Sequence, residues 1–238
     1  KDIIDAQKYE NESTGVRGSF LDNKNGYIYV SAYMNKEVKK CKELSILRAD
    51  LVPAEINTTE ELEFEVFFES GICSEFAEDN MWAAGGRLSQ LATGEIIFTV
   101  GSYAAAELDS ATKQPRIQYG AVFLIDRDGT SEMLAEGFRN PNGLTIIDQE
   151  IYVADSGPDG GDEINIIKAG ADYGWPLASY GLSYSKEDRY LVRHAPQFEE
   201  PLVFFRPSVA TSQLVYYEHE NLPRWKSSLI MGTLRQKS

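Results

Sequence analysis

Gly94-Glu95-Ile96-Ile97-Phe98-Thr99-Val100-Gly101 reads as a strand written between two glycines. Its five central side chains are β-branched or aromatic, the types that fit a pleated surface. Two other stretches share this grammar: Gly26-Tyr27-Ile28-Tyr29-Val30-Ser31-Ala32-Tyr33 and Gln149-Glu150-Ile151-Tyr152-Val153-Ala154-Asp155. A turn precedes each copy and a small or polar residue follows it. With Tyr27, Glu95 and Glu150 taken as equivalent, the copies stand 68 and 55 residues apart. A long period with several short strands per unit is what the blades of a β-propeller produce. A β-sandwich or a non-repeating all-β domain accounts for the same spacing.

Working outward, further strands are expected over residues 120–126, 163–168, 214–217 and 229–233, each apolar or alternating and bounded by turn residues. Residues 60–69 alternate charge with apolar side chains and suit an edge strand. Residues 186–194 read as a polar loop or a short helix. No low-complexity linker divides the chain, so it is read as one domain over residues 1–238.

Composition narrows the partners. The chain has 37 acidic against 23 basic residues, a formal net charge of −14. Such a surface repels phosphate backbones, which argues against nucleic acid, and it is compatible with cations and neutral sugars. No apolar run approaches the ~20 residues of a membrane helix. The two cysteines, Cys41 and Cys73, form one disulfide in an exported protein or stay as two buried thiols.

The richest stretch lies further on. It contains Gly137-Phe138-Arg139-Asn140-Pro141-Asn142-Gly143-Leu144, then Ala154-Asp155-Ser156-Gly157-Pro158-Asp159-Gly160-Gly161-Asp162-Glu163-Ile164-Asn165, then Gly170-Ala171-Asp172-Tyr173-Gly174-Trp175-Pro176. The middle piece is a strand running into a loop of Gly, Pro and Asp. Such loops turn backbone carbonyls outward, because Gly permits unusual φ/ψ and Pro has no N–H. Carbonyls beside Asp159, Asp162, Glu163 and Asp172 form a set of hard oxygen donors of the kind Ca²⁺ prefers. A solvated acidic turn is the alternative, and the spacing is not that of an EF-hand.

Together these pieces resemble the signature of the soluble glucose/sorbosone dehydrogenases, six-bladed propellers that oxidise sugars with pyrroloquinoline quinone (PQQ) and calcium. The resemblance extends to Gly85-Gly86-Arg87-Leu88, to the strand and turn from Tyr119-Gly120 to Asp128-Gly129, to Pro207-Ser208, and to Gly232-Thr233-Leu234-Arg235. It implies an all-β propeller of the quinoprotein glucose dehydrogenase type, of which this chain makes about four blades. It further implies that the natural product continues beyond both ends, and that it is periplasmic or extracellular.

Roles carry over position by position. Arg139 and Asn140 match the Arg-Asn pair that faces the cofactor. An Arg fork suits the carboxylates and developing oxyanion of PQQ, and Asn can donate to a quinone oxygen. For Arg139 a structural bond to neighbouring carbonyls is the competing reading. Gly157 and Pro158 match the carbonyls that hold the cofactor's Ca²⁺. Glu163 and the Tyr173 carbonyl match a second, structural Ca²⁺ site, against a salt bridge for Glu163. Arg235 matches a basic residue that binds PQQ, against a strand-end charge facing solvent. Trp175 and Trp225 read as core anchors.

One position breaks the pattern. Relatives keep a His base two residues before the Gly-Gly-Arg-Leu motif, and this chain has Ala83 there. Alanine accepts no proton. The histidines His194 and His219 lie elsewhere in sequence, and Glu75, Glu78 and Asp79 stand just upstream as possible substitutes. The expected function is therefore PQQ- and calcium-dependent oxidation of an aldose by hydride transfer, weakened by the missing base. The alternatives are a non-catalytic calcium-stabilised propeller that binds a carbohydrate or a protein, and, more remotely, a calcium-dependent propeller hydrolase such as a lactonase.

Overall fold

The computed structural model describes residues 15–36, 39–51, 62–74, 83–103, 120–182 and 196–235. Within these, every regular element is a strand. The first sheet is β1 (Gly18–Asp22), β2 (Tyr27–Lys36), β3 (Cys41–Asp50) and β4 (Glu65–Ser74), antiparallel in chain order. The second holds β5 (Gly85–Gln90), β6 (Ile96–Val100), β7 (Ala121–Ile125) and β8 (Ser131–Glu136), and the short β12 (Ala171–Asp172) adds to β8 in parallel. The third is β9 (Pro141–Ile147), β10 (Glu150–Asp155), β11 (Asp162–Ile166) and β13 (Val203–Phe205). A fourth sheet consists of β14 (Thr211–Tyr217) and β15 (Ser228–Thr233).

The first strands of successive sheets are neighbours: β1 lies by β5, β5 by β9 and β9 by β14. The sheets therefore radiate from a common axis lined by these four inner strands, the arrangement of propeller blades. The three sequence copies turn out to be β2, β6 and β10, the second strand of each full sheet. They look alike because each is flanked on both sides within its own sheet. β6 is also covered on both faces, since all five of its residues are buried. Ile96, Phe98 and Val100 face the first sheet through Tyr29, Leu44, Ile46 and Phe68. Ile97 faces the third through Leu144, Ile151 and Val153. A strand covered on both faces loses its polar alternation, which explains the unbroken apolar run. Its one polar residue, Thr99, donates to the Pro141 carbonyl at 2.7 Å and accepts the Arg87 N–H, so it ties β9 to β5.

Residues 60–69 meet expectation in their later part, since β4 is the outer edge of the first sheet. The short β12 adds one parallel pairing to the otherwise antiparallel sheets. Cys41 and Cys73 are bonded, with Cα atoms 5.6 Å apart, joining β3 to this edge strand. Residues 186–194, Glu75, Glu78, Asp79, Tyr119 and His194 lie outside the described residues.

Candidate functional site

The motif residues collect at one end of the sheets, where β5, β9 and β14 begin and β6, β8 and β10 finish. Backbone bonds stitch these ends together. Gly101 N–H donates to the Ala84 carbonyl, Tyr103 N–H to Ala83, Ser102 N–H to Arg139, and Phe138 N–H to Gly120. The approach is close enough that a Cβ on Gly101 would stand 2.0 Å from the Ala83 carbonyl oxygen. Gly137 has φ +85°, and a Cβ there would meet the Asp172 carboxylate at 2.2 Å, so only glycine lets the Tyr173–Trp175 segment dock beside Arg139.

Arg139 is almost fully buried. Its Nη1 donates to the carbonyls of Ser156 and Gly157, each at 3.0 Å, and its guanidinium lies 5.5 Å from the centroid of the Trp175 ring. The structural bond weighed for Arg139 is thus present, and it is made to the very loop that was expected to hold calcium. Beneath it, the carboxylate of Asp155 accepts the backbone N–H groups of Arg139 and Asn140, at 2.9 and 2.5 Å. Burial pushes the Asp155 carboxyl up to about 7, against the lowering effect of those bonds and of Arg139. The Asn140 side-chain oxygen accepts from Gly85 N–H at 3.2 Å, which leaves its amide hydrogens for another partner.

Asp162 was read only as a nearby charge, and this needs correction. It is fully buried and accepts four bonds: from Gly157 N–H at 3.0 Å, Ser208 Oγ at 2.9 Å, Val209 N–H at 2.8 Å and Ala210 N–H at 2.7 Å. It joins the Gly-Pro loop to the entry of β14. Ser208 of the Pro-Ser pair was the available signal, but the long sequence separation hid the partnership.

Arg235 comes to the same loop. Its Nη1 stands 3.9 Å from Asp159, with both side chains about half exposed, an ion pair of small worth. Glu163 sits on β11 opposite Asp155 and Phe204. Burial, and then the charge of Asp155, push its carboxyl up to about 8. The Tyr173 side chain stacks on Phe138 at 4.7 Å and donates to the Ile166 carbonyl, so it acts as packing. Trp175 is buried as expected, whereas Trp225 is 52 % exposed, because it lies in the turn between β14 and β15 and not beneath a sheet. Two buried polar atoms beside Arg139, Ser102 Oγ and Trp175 Nε1, have no partner among the described residues.

Ala83 is completely buried and belongs to this network through its carbonyl. His219 is far from it in the fold, exposed beyond β14, where its Nδ1 accepts the Asn221 N–H. Among the described residues, no three His, Cys, Asp or Glu side chains converge as a metal cluster.

A family model described as Glucose / Sorbosone dehydrogenase matches residues 6–238. The chain belongs to this family. Its relatives include the aldose sugar dehydrogenase YliI of Escherichia coli (strain K12), 30% identical over 168 residues. That match covers 64% of this chain and 45% of the relative, so the chain spans less than half of that protein's length. Among solved structures, a glucose dehydrogenase superposes with a TM-score of 0.80 at 25% identity, covering 95% of this chain and 68% of that one. The PQQ-bound aldose sugar dehydrogenase of Streptomyces coelicolor shares the fold, with a TM-score of 0.66 at 22% identity over 94% of this chain and 61% of that one. Family membership accounts for the propeller blades and for the order of the motifs along them.

Proposed function

We propose that the chain carries the cofactor face of a PQQ-dependent sugar dehydrogenase whose substrate is an aldose. The observation that carries this reading is the gathering of Arg139, Asn140 and Arg235 around one loop, beside the orphaned donors Ser102 Oγ and Trp175 Nε1. Buried donors without partners cost free energy unless a polar ligand satisfies them. A tricarboxylate quinone fits that donor set. When bound, PQQ would supply the hydride acceptor for sugar oxidation, and Ca²⁺ would supply a Lewis acid.

The chain's own residues then have distinct tasks. Arg139, held by the Ser156 and Gly157 carbonyls and backed by the Trp175 ring, supplies a fixed positive charge in a dry site. Asp155 fixes the backbone on which Arg139 and Asn140 stand. Arg235, more exposed, supplies charge at the rim. For calcium the two expected places differ. At Gly157 the Arg139 guanidinium already donates to the carbonyl, so Gly157 and Pro158 would hold an ion only beside that cation. Glu163 stands opposite Asp155, and a cation at Glu163, held with the Tyr173 carbonyl, would relieve the repulsion between the two carboxylates.

The proton of the sugar hydroxyl has no acceptor at Ala83. This favours a second reading, a non-catalytic calcium-stabilised propeller that binds a carbohydrate or protein partner. The Cys41–Cys73 disulfide supports a periplasmic or extracellular location. Reconstitution with PQQ and Ca²⁺ decides between the readings. The first predicts quinone absorbance retained through gel filtration, lost in Arg139→Gln, with feeble dye reduction by aldoses. Ala83→His then raises turnover by about 10²-fold or more. Absence of any retained quinone leaves the binding propeller.

A further inference from the structure

The arginine of the Gly-Gly-Arg-Leu motif has no role in the site described above. Arg87 instead lines a cavity of about 370 Å³, together with Gly18, Ser19, Leu88 and Gln213 among others. Neither Arg139 nor the residues whose carbonyls hold it belong to this lining. The lining residues lie on, or just before, the inner strands β1, β5 and β14. The volume is that of a small-molecule site.

Two of these side chains are pinned by one strand. Arg87 Nε donates to the Asn142 carbonyl at 2.6 Å, and Gln213 Nε2 donates to the Leu144 carbonyl at 3.0 Å. Asn142 and Leu144 are alternate residues of β9, which lies between β5 and β14. Arg87 Nη1 is held as well, by the Arg17 carbonyl at 3.1 Å. With Nε2 committed, the planar amide of Gln213 fixes where its Oε1 points. That oxygen is shielded from solvent and meets no donor among the described residues. A buried acceptor without a donor costs free energy that a ligand hydroxyl restores. On the β5 side Arg87 offers the N–H groups of its Nη2. Ser19 adds a hydroxyl that serves as donor or acceptor, and Leu88 adds apolar surface.

We propose that the axial cavity binds a neutral polyhydroxylated ligand, a monosaccharide or a cyclic polyol, with one hydroxyl donating to Gln213 Oε1 and another accepting from Arg87. Each hydroxyl is donor and acceptor at once, so neighbouring hydroxyls match a lining that holds both kinds. Leu88 suits the carbon-bound hydrogens of such a ring. The formal net charge of −14 favours a neutral ligand over an anion. Side chains held before the ligand arrives lose little freedom in binding it. The site does not rest on the quinone reading.

The test is an NMR titration of the full chain, without PQQ, with glucose and separately with myo-inositol. The side-chain amide of Gln213 is the reporter, assigned by the loss of its signal in Gln213→Leu. The expected result is a saturable shift of that signal with at least one ligand. Gln213→Leu is close in size and removes the acceptor, so saturation-transfer titration shows binding weakened about fivefold or more. Ser19→Ala, at an exposed position, weakens it about twofold, read on the Gln213 amide itself. Both variants are checked for wild-type melting without ligand. Glucose binding alone marks a sugar site and binding of both a general polyol site, and either supports the proposal. It is overturned by the absence of a saturable shift with both ligands, by affinity unchanged in both variants, or by a shift lost in Arg139→Gln.

Discussion

At the scale of single residues, Asp162 holds the candidate site together. A carboxylate that is fully buried pays a heavy desolvation cost, and here four donors repay it, three of them backbone N–H groups. Those donors come from both sides of a junction: Gly157 from the loop after β10, and Ser208, Val209 and Ala210 from the approach to β14. Removing the carboxylate orphans all of them. Asp162→Ala is expected to cost about 3 kcal/mol or more in urea unfolding, and Asp162→Asn about 1–3 kcal/mol because one oxygen remains to accept. A loss within experimental error in Asp162→Ala would show that water replaces the carboxylate and that the junction does not depend on it. By contrast Arg235, half exposed and 3.9 Å from Asp159, is expected to matter to ligand binding more than to stability.

At the scale of elements, the first sheet is the one whose outer edge is clamped covalently. β4 is an edge strand, and its register against β3 is broken twice by irregularities, between Glu43 and Ser45 and between Ile46 and Leu47. An edge so interrupted is prone to fray. The Cys41–Cys73 bond closes a segment with a sequence separation of 32, for which loop-closure entropy gives about 3–4 kcal/mol. Reduction with dithiothreitol is expected to lower the melting temperature and to speed amide exchange in β4 before β2 and β3. Equal exchange across the whole sheet after reduction would count against a local clamp. Strands of this kind explain what the sequence disclosed. β2, β6 and β10 were legible because each is the second strand of a full sheet, written in β-branched and aromatic residues with a turn in front. β12 was not, because two residues, Ala171 and Asp172, pair by position alone and carry no pattern. Glu163 and Tyr173 were legible as motif positions, yet their surroundings depend on pairing and packing that no motif spells out, with Asp155 across the β10–β11 hairpin for one and with the distant Phe138 for the other. The buried neighbourhood of Ala83 was hidden for the same reason, since its partner Tyr103 comes from the end of a different strand.

At the scale of the whole molecule, charge decides how a calcium effect must be read. With a formal net charge of −14, any added cation relieves self-repulsion and raises stability a little. A specific site must do more than this. Asp155 and Glu163 face each other across β10 and β11, and Asp162 and Glu200 add to the negative field that raises the Glu163 carboxyl. In the metal-free protein that repulsion is a burden, so Glu163→Gln is expected to melt at the same or a higher temperature than the wild type in EDTA. In saturating calcium the order should reverse, because a ligand at about 100 times its Kd adds about 2.7 kcal/mol to a native state that binds it. The variant gains only the screening part. Magnesium at the same ionic strength serves as the control, since it demands a smaller octahedral shell and dehydrates reluctantly. Differential scanning calorimetry of both proteins in EDTA, magnesium and calcium gives the six melting temperatures required. A wild type that responds equally to the two metals, or curves for wild type and Glu163→Gln that never cross, would mean that the acidic surface is screened and that Glu163 holds no ion.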